Sequence, residues 1–335
     1  MKDTNKKIGV LGAGAWGTAL ARLLAEQGHE VTLWFFDELA LVEAQKTNIN
    51  PYLAGFTLGN IKLTNNLEET VSGAGVVLLA NPAQHSRRVL QEAKPWLNPE
   101  ATLVNVSKGI EMASFTLISE MIAEVAPENA RAACYLSGPS FAKELANKRI
   151  TIVSIASFDL DSARAMQKLF ATDYFRPYVT DDVIGVEVAG AVKNVMAVAA
   201  GIVVGLRGGD NTRAALITRG LAEMIRLGVA MGARAETFMG AAGLGDLILT
   251  ASSSSSRNYS LGLAVGRGES AEELIKNSKE VVEGYWTCEA VWHKAQELNI
   301  DMAITYELHK ILFKKKDPKQ AMFDLMKREL KGEEY

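Results

Sequence analysis

Lysine 193 is the residue of this 335-residue sequence whose surroundings most strongly indicate acid–base chemistry. It lies in an apolar helical segment between small and apolar neighbours, and the nearest opposite charge on its N-terminal side is Glu187. Burying an unpaired ammonium group is costly, and burial or a neighbouring cation would lower the pKa of Lys193. Such a lysine can donate and accept a proton near neutral pH. The alternative is that the side chain extends to the surface.

Four further polar residues accompany it in the sequence. Lys108 follows a predicted strand, and ligands of open α/β sheets bind beyond the carboxyl ends of strands. Asp246 lies between glycine-rich turns that would let a short acid point into a cleft, and Arg257 and Asn258 follow five serines, Ser252–Ser256. A ketone reduction needs a proton donor and a substrate ligand beside the carbonyl, and an anion site if the substrate carries phosphate; these residue types match those needs. The alternatives without a functional role are that Lys108 is a surface lysine, that Asp246 is bonded to the backbone of its own turn, and that the serines form a flexible linker.

A dinucleotide-binding turn precedes all of these residues. Gly12, Gly14 and Gly17 form G-x-G-x-x-G between an apolar strand and an amphipathic helix. The first glycine allows a tight turn, the second lets a pyrophosphate approach the backbone, and the third lets the helix pack closely. Ala15 and Trp16 begin that helix, whose free N–H groups and dipole attract phosphate. A glycine-rich turn that binds nothing is the alternative.

The choice between NAD and NADP depends on the residues after the second predicted strand. Asp37 lies twenty residues after Gly17, where an acid can bind the ribose 2′-hydroxyl of NAD. The alternative is that Asp37, which follows Trp34-Phe35-Phe36, lies past the tip of the strand. No Arg or Lys lies between Trp34 and Leu41 to meet a 2′-phosphate, which favours NAD. Either Phe35 or Phe36 is expected to contact the adenine, unless both belong to the core.

Two domains are predicted from the order of strands and helices. Short apolar strands alternate with helices in the first half, and helical periodicity alone continues beyond it. The predicted strands are Lys7–Leu11, Glu30–Trp34, Val76–Ala80, Thr102–Val106, Ala133–Leu136 and Thr151–Ile155. We expect an α/β fold, with a Rossmann-type, doubly wound, mostly parallel sheet over residues 1–183 and an all-α C-terminal domain over residues 184–335.

Composition narrows the functional classes. The net charge of −3 and the pI of about 5.9 give no basic excess for a nucleic-acid partner. Cys134 and Cys288 are expected to be reduced thiols, and no Cys/His cluster has metal-ligand spacing, so no metal is expected. The apolar stretch Val186–Leu206 carries Glu187 and Lys193, which favours a buried core helix over a membrane span.

The complete set of motifs resembles the NAD(P)-dependent glycerol-3-phosphate dehydrogenases over nearly the whole chain. The runs Thr218–Glu223 and Phe238–Asp246 are the most specific to that family. These runs lie within the matching segments Asn211–Glu223 and Phe238–Thr250. The other matching segments are Gly12–Leu20, Ser107–Gly109, Ser137–Glu144, Gly185–Val195, Ser256–Asn258 and Val281–Tyr285. The resemblance implies reversible hydride transfer between a nicotinamide coenzyme and dihydroxyacetone phosphate or sn-glycerol 3-phosphate. It further implies a cytoplasmic homodimer that supplies glycerol 3-phosphate for glycerophospholipid synthesis.

The resemblance also implies roles for individual residues. Lys193 is expected to exchange the proton, Lys108 to bind substrate beside the nicotinamide, and Asp246 to orient Lys193 or a substrate hydroxyl. The expected substrate ligands are Lys108, Gly138, Ser140, Lys193, Asn194, Asp246, Thr250, Ser256, Arg257 and Asn258. The expected cofactor-binding residues are Gly12, Gly14, Ala15, Trp16, Gly17, Phe35, Phe36, Lys108, Ala142, Arg257, Val281 and Glu283.

Some positions depart from the pattern of the family. Tyr259-Ser260 replaces a more basic pair, Asn81 replaces an apolar residue before a proline in a cofactor-side loop, and Phe35-Phe36 lacks an arginine found in many bacterial members. Two other functions stay open from the residues alone. One is reduction of a non-phosphorylated 2-keto or 3-hydroxy acid whose carboxylate binds Arg257. The other is a dinucleotide sensor without turnover.

Overall fold

The computed structural model describes residues 6–112, 114–278, 281–330 and 332, and the chain divides into two compact units. The first unit runs to Ser107 and resumes over Ile118–Val183, whereas the second comprises Lys108–Leu117 and the chain from Ile184 onward. The predicted division had assigned residues 108–117 to the first domain. Lys108 thus clusters with the second unit, although it closely follows a strand of the first.

The first unit is built on an eight-stranded sheet. Its strands are β1 (Lys7–Leu11), β2 (Glu30–Trp34), β3 (Lys62–Thr64), β4 (Val76–Leu79), β5 (Thr102–Asn105), β6 (Cys134–Ser137), β7 (Thr151–Ala156) and β8 (Phe175–Thr180). Their order is β3-β2-β1-β4-β5-β6-β7-β8, and every neighbouring pair is parallel except β6 and β7. The predicted mostly parallel, Rossmann-type sheet is therefore confirmed.

The two edge strands, β3 and β8, were not predicted from the sequence. β3 has only three residues, too few for a recognisable pattern. β8 begins with alternating buried and exposed positions and contains Pro177, which is tolerated at the edge of a sheet. Central strands such as β1 and β4 are almost entirely buried, and continuous apolar runs of that kind are the easiest to recognise.

Eight α-helices lie in the part of the first unit that the structure describes. They are α1 (Ala15–Glu26), α2 (Glu38–Thr47), α3 (Leu67–Val71), α4 (Ala83–Ala93), α5 (Ile118–Val125), α6 (Pro127–Ala130), α7 (Ala142–Ala146) and α8 (Leu160–Phe170). The helical pattern of the sequence extends over Ser114–Val125, but α5 begins only at Ile118. Phe115 has a φ of 56°, which is incompatible with a right-handed helix and explains the later start.

The second unit is helical, and no strand occurs in the part of it that the structure describes. Its helices are α9 (Val183–Gly205), α10 (Gly209–Ala230), α11 (Asp246–Ser252), α12 (Arg257–Gly266), α13 (Ala271–Asn277), α14 (Glu283–Glu297), α15 (Ala303–Lys314) and α16 (Pro318–Met326). Among the described residues, α9 alone is long and apolar enough to cross a membrane, and 89% of its apolar window is buried inside the protein. Burial of this extent is typical of a helix in the core of a protein.

A buried carboxylate joins two helices of the second unit. Glu223 of α10 is 2% exposed and accepts hydrogen bonds from the backbone nitrogens of Ile304 (2.6 Å) and Thr305 (3.2 Å). The hydroxyl of Thr305 donates a third bond at 3.1 Å. Burial raises the pKa of Glu223 to about 7, even though these three donors oppose the shift. The acid of the Thr218–Glu223 run thus caps the first turn of α15.

Candidate active site

Asp246 lies between two ammonium groups. Its Oδ2 atom is 2.7 Å from Nζ of Lys108, and its Oδ1 atom is 3.1 Å from Nζ of Lys193. Asp246 is 1% exposed and Lys193 is 6% exposed, whereas the side chain of Lys108 is 15% exposed. All three residues belong to the second unit. The structure therefore brings together the three predicted catalytic residues in one largely buried cluster.

Two helices of the second unit position this cluster. Lys193 lies in the middle of α9, where its neighbours Val192 and Asn194 are also buried. Asp246 is the first residue of α11 and follows a π-helical turn over Ala241–Gly245. Thr250, one helical turn further on, donates to Oδ1 of Asp246 at 3.0 Å and accepts from Nζ of Lys193 at 2.8 Å. The amine of Lys193 is therefore held by a carboxylate and a hydroxyl.

Burial and neighbouring charges shift the pKa values of the cluster. Burial lowers the pKa of Lys193 to about 8, and Asp246 opposes that shift, whereas the positive charges of Lys108 and Arg257 add to it. Burial alone would raise the pKa of Asp246, but Lys108 and Lys193 together hold it below its ordinary value. The arrangement thus keeps an acid ionised while a buried amine titrates near neutral pH.

A chain of asparagine contacts lies beside the cluster. Nδ2 of Asn194 donates to the backbone oxygen of Lys108 at 3.4 Å, and Oδ1 of Asn194 accepts from Nδ2 of Asn258 at 2.8 Å. Oδ1 of Asn258 in turn accepts from the backbone nitrogen of Gly284, in the first turn of α14, at 2.8 Å. The side chains of Asn194 and Asn258 therefore connect Lys108 to the start of α14.

The serine tract has a defined structure and is not a flexible linker. Ser252 ends α11, and Ser256 caps α12, because its hydroxyl accepts from the backbone nitrogen of Tyr259 at 3.3 Å. Arg257 is the exposed first residue of α12. A helix N-terminus beside a guanidinium group is a suitable place for a phosphate.

The glycine turn of the first unit has the geometry that a dinucleotide requires. Gly12 has a φ of +124°, and a Cβ atom there would lie 2.7 Å from the backbone of Ala80. A Cβ at Gly17 would lie 2.1 Å from the oxygen of Gly12, whereas nothing lies within 4 Å of one at Gly14. No side chain caps α1, and its first turn contains no acid. The N–H groups around Ala15 are therefore suited to an anion, and the residues fit the pyrophosphate.

Two aromatic residues predicted to bind the coenzyme differ in burial. Phe35 is 1% exposed and belongs to the hydrophobic core, so its ring is not an adenine platform. Phe36 is 71% exposed and stays a candidate for that contact. Trp16, which is half-buried, has its Nε1 atom buried without a hydrogen-bond partner, which fits a ligand that brings an acceptor.

The remaining predicted site residues are divided between the units. Gly138, Ser140 and Ala142 follow β6 in the first unit, and the hydroxyl of Ser140 donates to the backbone oxygen of Gly138 at 2.8 Å. Glu283 is the first residue of α14, and Val281 lies two residues before it; both belong to the second unit. Across the described residues, no three His, Cys, Asp or Glu side chains form a group suited to a metal ion.

Asn50 supports the glycine turn and was not predicted from the sequence. This residue is fully buried, and its Nδ2 atom donates to the oxygen of Ala13 at 2.8 Å and to Oγ1 of Thr18 at 2.7 Å. Its Oδ1 atom accepts from the backbone nitrogen of Tyr52 at 3.0 Å. The only local signal was an asparagine before Pro51, which indicates a turn and gives no hint of a contact with the distant motif.

Comparison with known proteins gives one consistent result. A protein-family model described as NAD-dependent glycerol-3-phosphate dehydrogenase N-terminus matches residues 7–163. The family model described as the C-terminus of the same enzyme matches residues 182–323. A protein of Geobacter metallireducens named glycerol-3-phosphate dehydrogenase (NAD(P)+) is 46% identical over 331 residues, covering 98% of this chain and 99% of the relative. A crystal structure of glycerol-3-phosphate dehydrogenase from Coxiella burnetii is 36% identical, with a TM-score of 0.92 and coverage of 97% and 99%.

Replacing Asn50 should weaken both the fold and the nucleotide turn. In Asn50→Ala, the carbonyl of Ala13 and the hydroxyl of Thr18 lose a buried partner, which costs roughly 1–3 kcal/mol. We expect a lower free energy of unfolding in urea and weaker binding of adenine dinucleotides by calorimetry. Asn60→Ala, at an exposed position, is the matched control and should change neither. Unaltered stability and affinity in Asn50→Ala would contradict the supporting role.

Proposed function

The chain belongs to the NAD-dependent glycerol-3-phosphate dehydrogenase family, and on that premise we propose that it interconverts dihydroxyacetone phosphate and sn-glycerol 3-phosphate with NAD or NADP. The observation that carries the proposal is the cluster of Lys108, Lys193 and Asp246, in which two cations share one carboxylate. Such a cluster suits a reaction that generates negative charge on a carbonyl oxygen. When bound, the coenzyme supplies the hydride that reduces the ketone carbon.

Lys193 donates the proton in the proposed reduction. Its pKa of about 8 leaves a large share of the ammonium form at neutral pH, and this form can protonate the developing alkoxide. In the reverse direction the neutral amine accepts the proton from the substrate hydroxyl. The sign of the pH dependence follows: reduction should lose rate as pH rises through about 8, and oxidation should gain rate over the same range.

Lys108 and Asp246 have complementary roles in this proposal. Lys108 places a second positive charge beside the same carboxylate and stabilises the carbonyl oxygen as it becomes negative. Asp246 does not exchange a proton, because the two lysines keep its pKa low. Each of its two oxygens accepts a hydrogen bond from one of the two amines, and the hydroxyl of Thr250 accepts a second bond from the amine of Lys193.

Arg257 binds the phosphate of the substrate, together with the N-terminal amides of α12. The exposed guanidinium stands at the start of the helix, and its charge acts on Lys193 as well. Phosphate recognition and proton transfer therefore share one charged region. The amide nitrogen of Asn258 donates one hydrogen to Asn194, and its amide oxygen accepts from Gly284. We assign the second amide hydrogen of Asn258 to the substrate.

The other predicted site residues receive supporting roles. We assign the coenzyme to Gly12, Gly14, Ala15, Trp16, Gly17, Phe36, Ala142, Val281 and Glu283, with Lys108 and Arg257 also beside it. We assign the substrate or its surroundings to Gly138, Ser140, Asn194, Thr250 and Ser256. The uncapped first turn of α1 supports the coenzyme assignments, and the contact of Asn194 with Lys108 supports a positioning role for that asparagine.

The same family membership supports a cellular setting. We propose that the chain acts in the cytoplasm as a homodimer and supplies glycerol 3-phosphate for glycerophospholipid synthesis. Two buried free thiols, Cys134 and Cys288, are in keeping with a reducing compartment.

An absorbance assay of nicotinamide oxidation with several ketones tests the proposed function. Dihydroxyacetone phosphate should be reduced, whereas dihydroxyacetone should react far more slowly, because it brings no anion to Arg257 and α12. Small 2-keto acids should also react slowly, because their carboxylate is bonded directly to the carbonyl carbon, whereas the phosphate of dihydroxyacetone phosphate is separated from it by a CH2–O link. Arg257→Ala should raise KM for the phosphorylated ketone with a smaller effect on kcat. Efficient reduction of a keto acid, or an unchanged KM in Arg257→Ala, would contradict the phosphate assignment.

Removing the amine of Lys193 should abolish the proton transfer. Lys193→Ala should lower kcat for reduction by roughly 10²–10⁴-fold, the usual contribution of a general acid. The decline of kcat/KM above pH 8 should disappear with it, while dinucleotide binding, measured by calorimetry, survives. Lys319→Ala, on the exposed face of α16, is the control. Near-normal turnover in Lys193→Ala would refute the assignment.

A further inference from the structure

A cation from α4 stands over the exposed aromatic ring that follows β2. The guanidinium carbon of Arg88 lies 5.3 Å from the centroid of the Phe36 ring. The ring of Trp34, the last residue of β2, lies 6.2 Å from the Phe36 ring at an angle of 54°. Phe36 is 71% exposed, so a large part of its ring remains open to solvent despite both contacts.

The location of Phe36 and Arg88 relative to β1 and β2 indicates which part of a bound dinucleotide they would contact. β2 is the direct neighbour of β1, and Leu11, just before the glycine turn, is paired with Trp34. In a dinucleotide-binding sheet, the pyrophosphate lies at the turn after the first strand, and the adenosine ribose lies beyond the end of the second. Phe36 and Arg88 therefore lie where the 2′ position of the adenosine is expected.

The acid expected to bind a ribose hydroxyl is committed elsewhere. Oδ1 of Asp37 accepts from the backbone nitrogens of Leu39 (2.9 Å) and Ala40 (3.2 Å) and thereby caps α2. Oδ2 of Asp37 accepts from the hydroxyl of Tyr52 at 2.8 Å. Three of the roughly four acceptor positions of this carboxylate are therefore used by donors of the protein, and Asp37 is left with little capacity to bind a ribose hydroxyl.

Arg88 has donors left for an anion. Its Nη1 atom donates to Oε1 of Glu92 at 2.9 Å, one turn further along α4, and its side chain is 49% exposed. A guanidinium carries five N–H donors, and its planar fork matches the oxygens of a phosphate. The pairing with Glu92 holds the side chain on the face of the helix that meets Phe36, and the other donors remain for a ligand.

We propose that Arg88 binds the 2′-phosphate of NADP and gives this chain its preference for the phosphorylated coenzyme. The inference rests on the proposed function, whose coenzyme site it refines. It replaces the expectation that the lack of Arg and Lys between residues 34 and 41 favours NAD. The cation comes instead from a helix that follows β4, some fifty residues later in the sequence.

Nucleotide binding measured by calorimetry, without any ketone, tests the proposal. Adenosine 2′,5′-bisphosphate and AMP differ only in the 2′-phosphate, so the ratio of their dissociation constants isolates that group. The wild-type protein should bind the bisphosphate more tightly. Arg88→Gln should weaken binding of the bisphosphate by roughly tenfold, as expected for loss of a hydrogen bond between charged groups, and should leave AMP unchanged. Arg88→Lys should retain part of the preference, because a point charge replaces the fork.

Two variants serve as controls. Arg87→Gln removes the adjacent arginine, whose Nη1 atom is paired with Oε2 of Glu124 at 2.6 Å, and should leave both affinities unchanged. Phe36→Leu removes the aromatic platform and should weaken both nucleotides to a similar extent, so that their ratio persists. Added salt should reduce the preference of the wild-type protein, because an exposed ion pair is screened.

The same variants extend the test to turnover. The ratio of kcat/KM for NADPH to that for NADH should fall in Arg88→Gln and remain at the wild-type value in Arg87→Gln. An unchanged ratio of the two nucleotide affinities in Arg88→Gln would overturn the proposal, as would an equal loss for both nucleotides. If the nucleotides behave as expected and dihydroxyacetone phosphate is not reduced, the proposed function fails while the role of Arg88 stands.

Discussion

The carboxylate of Asp246, placed between the amines of Lys108 and Lys193, is the interaction on which the proposed chemistry depends. Two ammonium groups that approach each other in a largely buried site would repel each other strongly, and burial would discharge at least one of them. A single buried anion removes that difficulty, because each of its oxygens contacts a different amine. The formal charges of these three groups sum to +1, which suits a site where an alkoxide develops.

The helices α9 and α11 hold this carboxylate and the two amines in place. Asp246 occupies the first position of α11, where the N-terminal end of the helix favours a negative charge, and Thr250 comes one turn later to complete the contacts of Lys193. Asn194, the next residue of α9, contacts the backbone of Lys108. Neighbouring positions of one helix therefore serve both lysines, and a substitution in α9 is expected to disturb them together.

Much of this arrangement could be predicted from the sequence, and the exceptions have physical reasons. Gly12, Gly14 and Gly17 reveal their role because their spacing is local, and the apolar strands β1 and β2 have the bounds that their composition predicts. Lys193 stood out because a charge in an apolar helix needs a partner. The family assignment was confirmed by full-length relatives.

What the sequence did not reveal depends on contacts between distant segments. Asn50 reaches the glycine turn from a loop more than thirty residues away, and Arg88 approaches Phe36 from a different helix. The commitment of Asp37 to Tyr52 likewise involves a residue outside its own helix. Periodicity and motif spacing report neighbours along the chain, so interactions of this kind stay hidden until the strands and helices are placed in space.

The pH dependence of kcat/KM for ketone reduction in Asp246→Asn tests the central claim most directly. Asparagine keeps the size of the side chain but removes the charge that opposes the effect of burial on Lys193. The account predicts that the pKa of Lys193 falls below its wild-type value of about 8, so that reduction loses rate at a lower pH and its maximum declines. A variant with the wild-type rate and the wild-type pH profile would contradict the account, because the carboxylate would then hold neither amine in its working state.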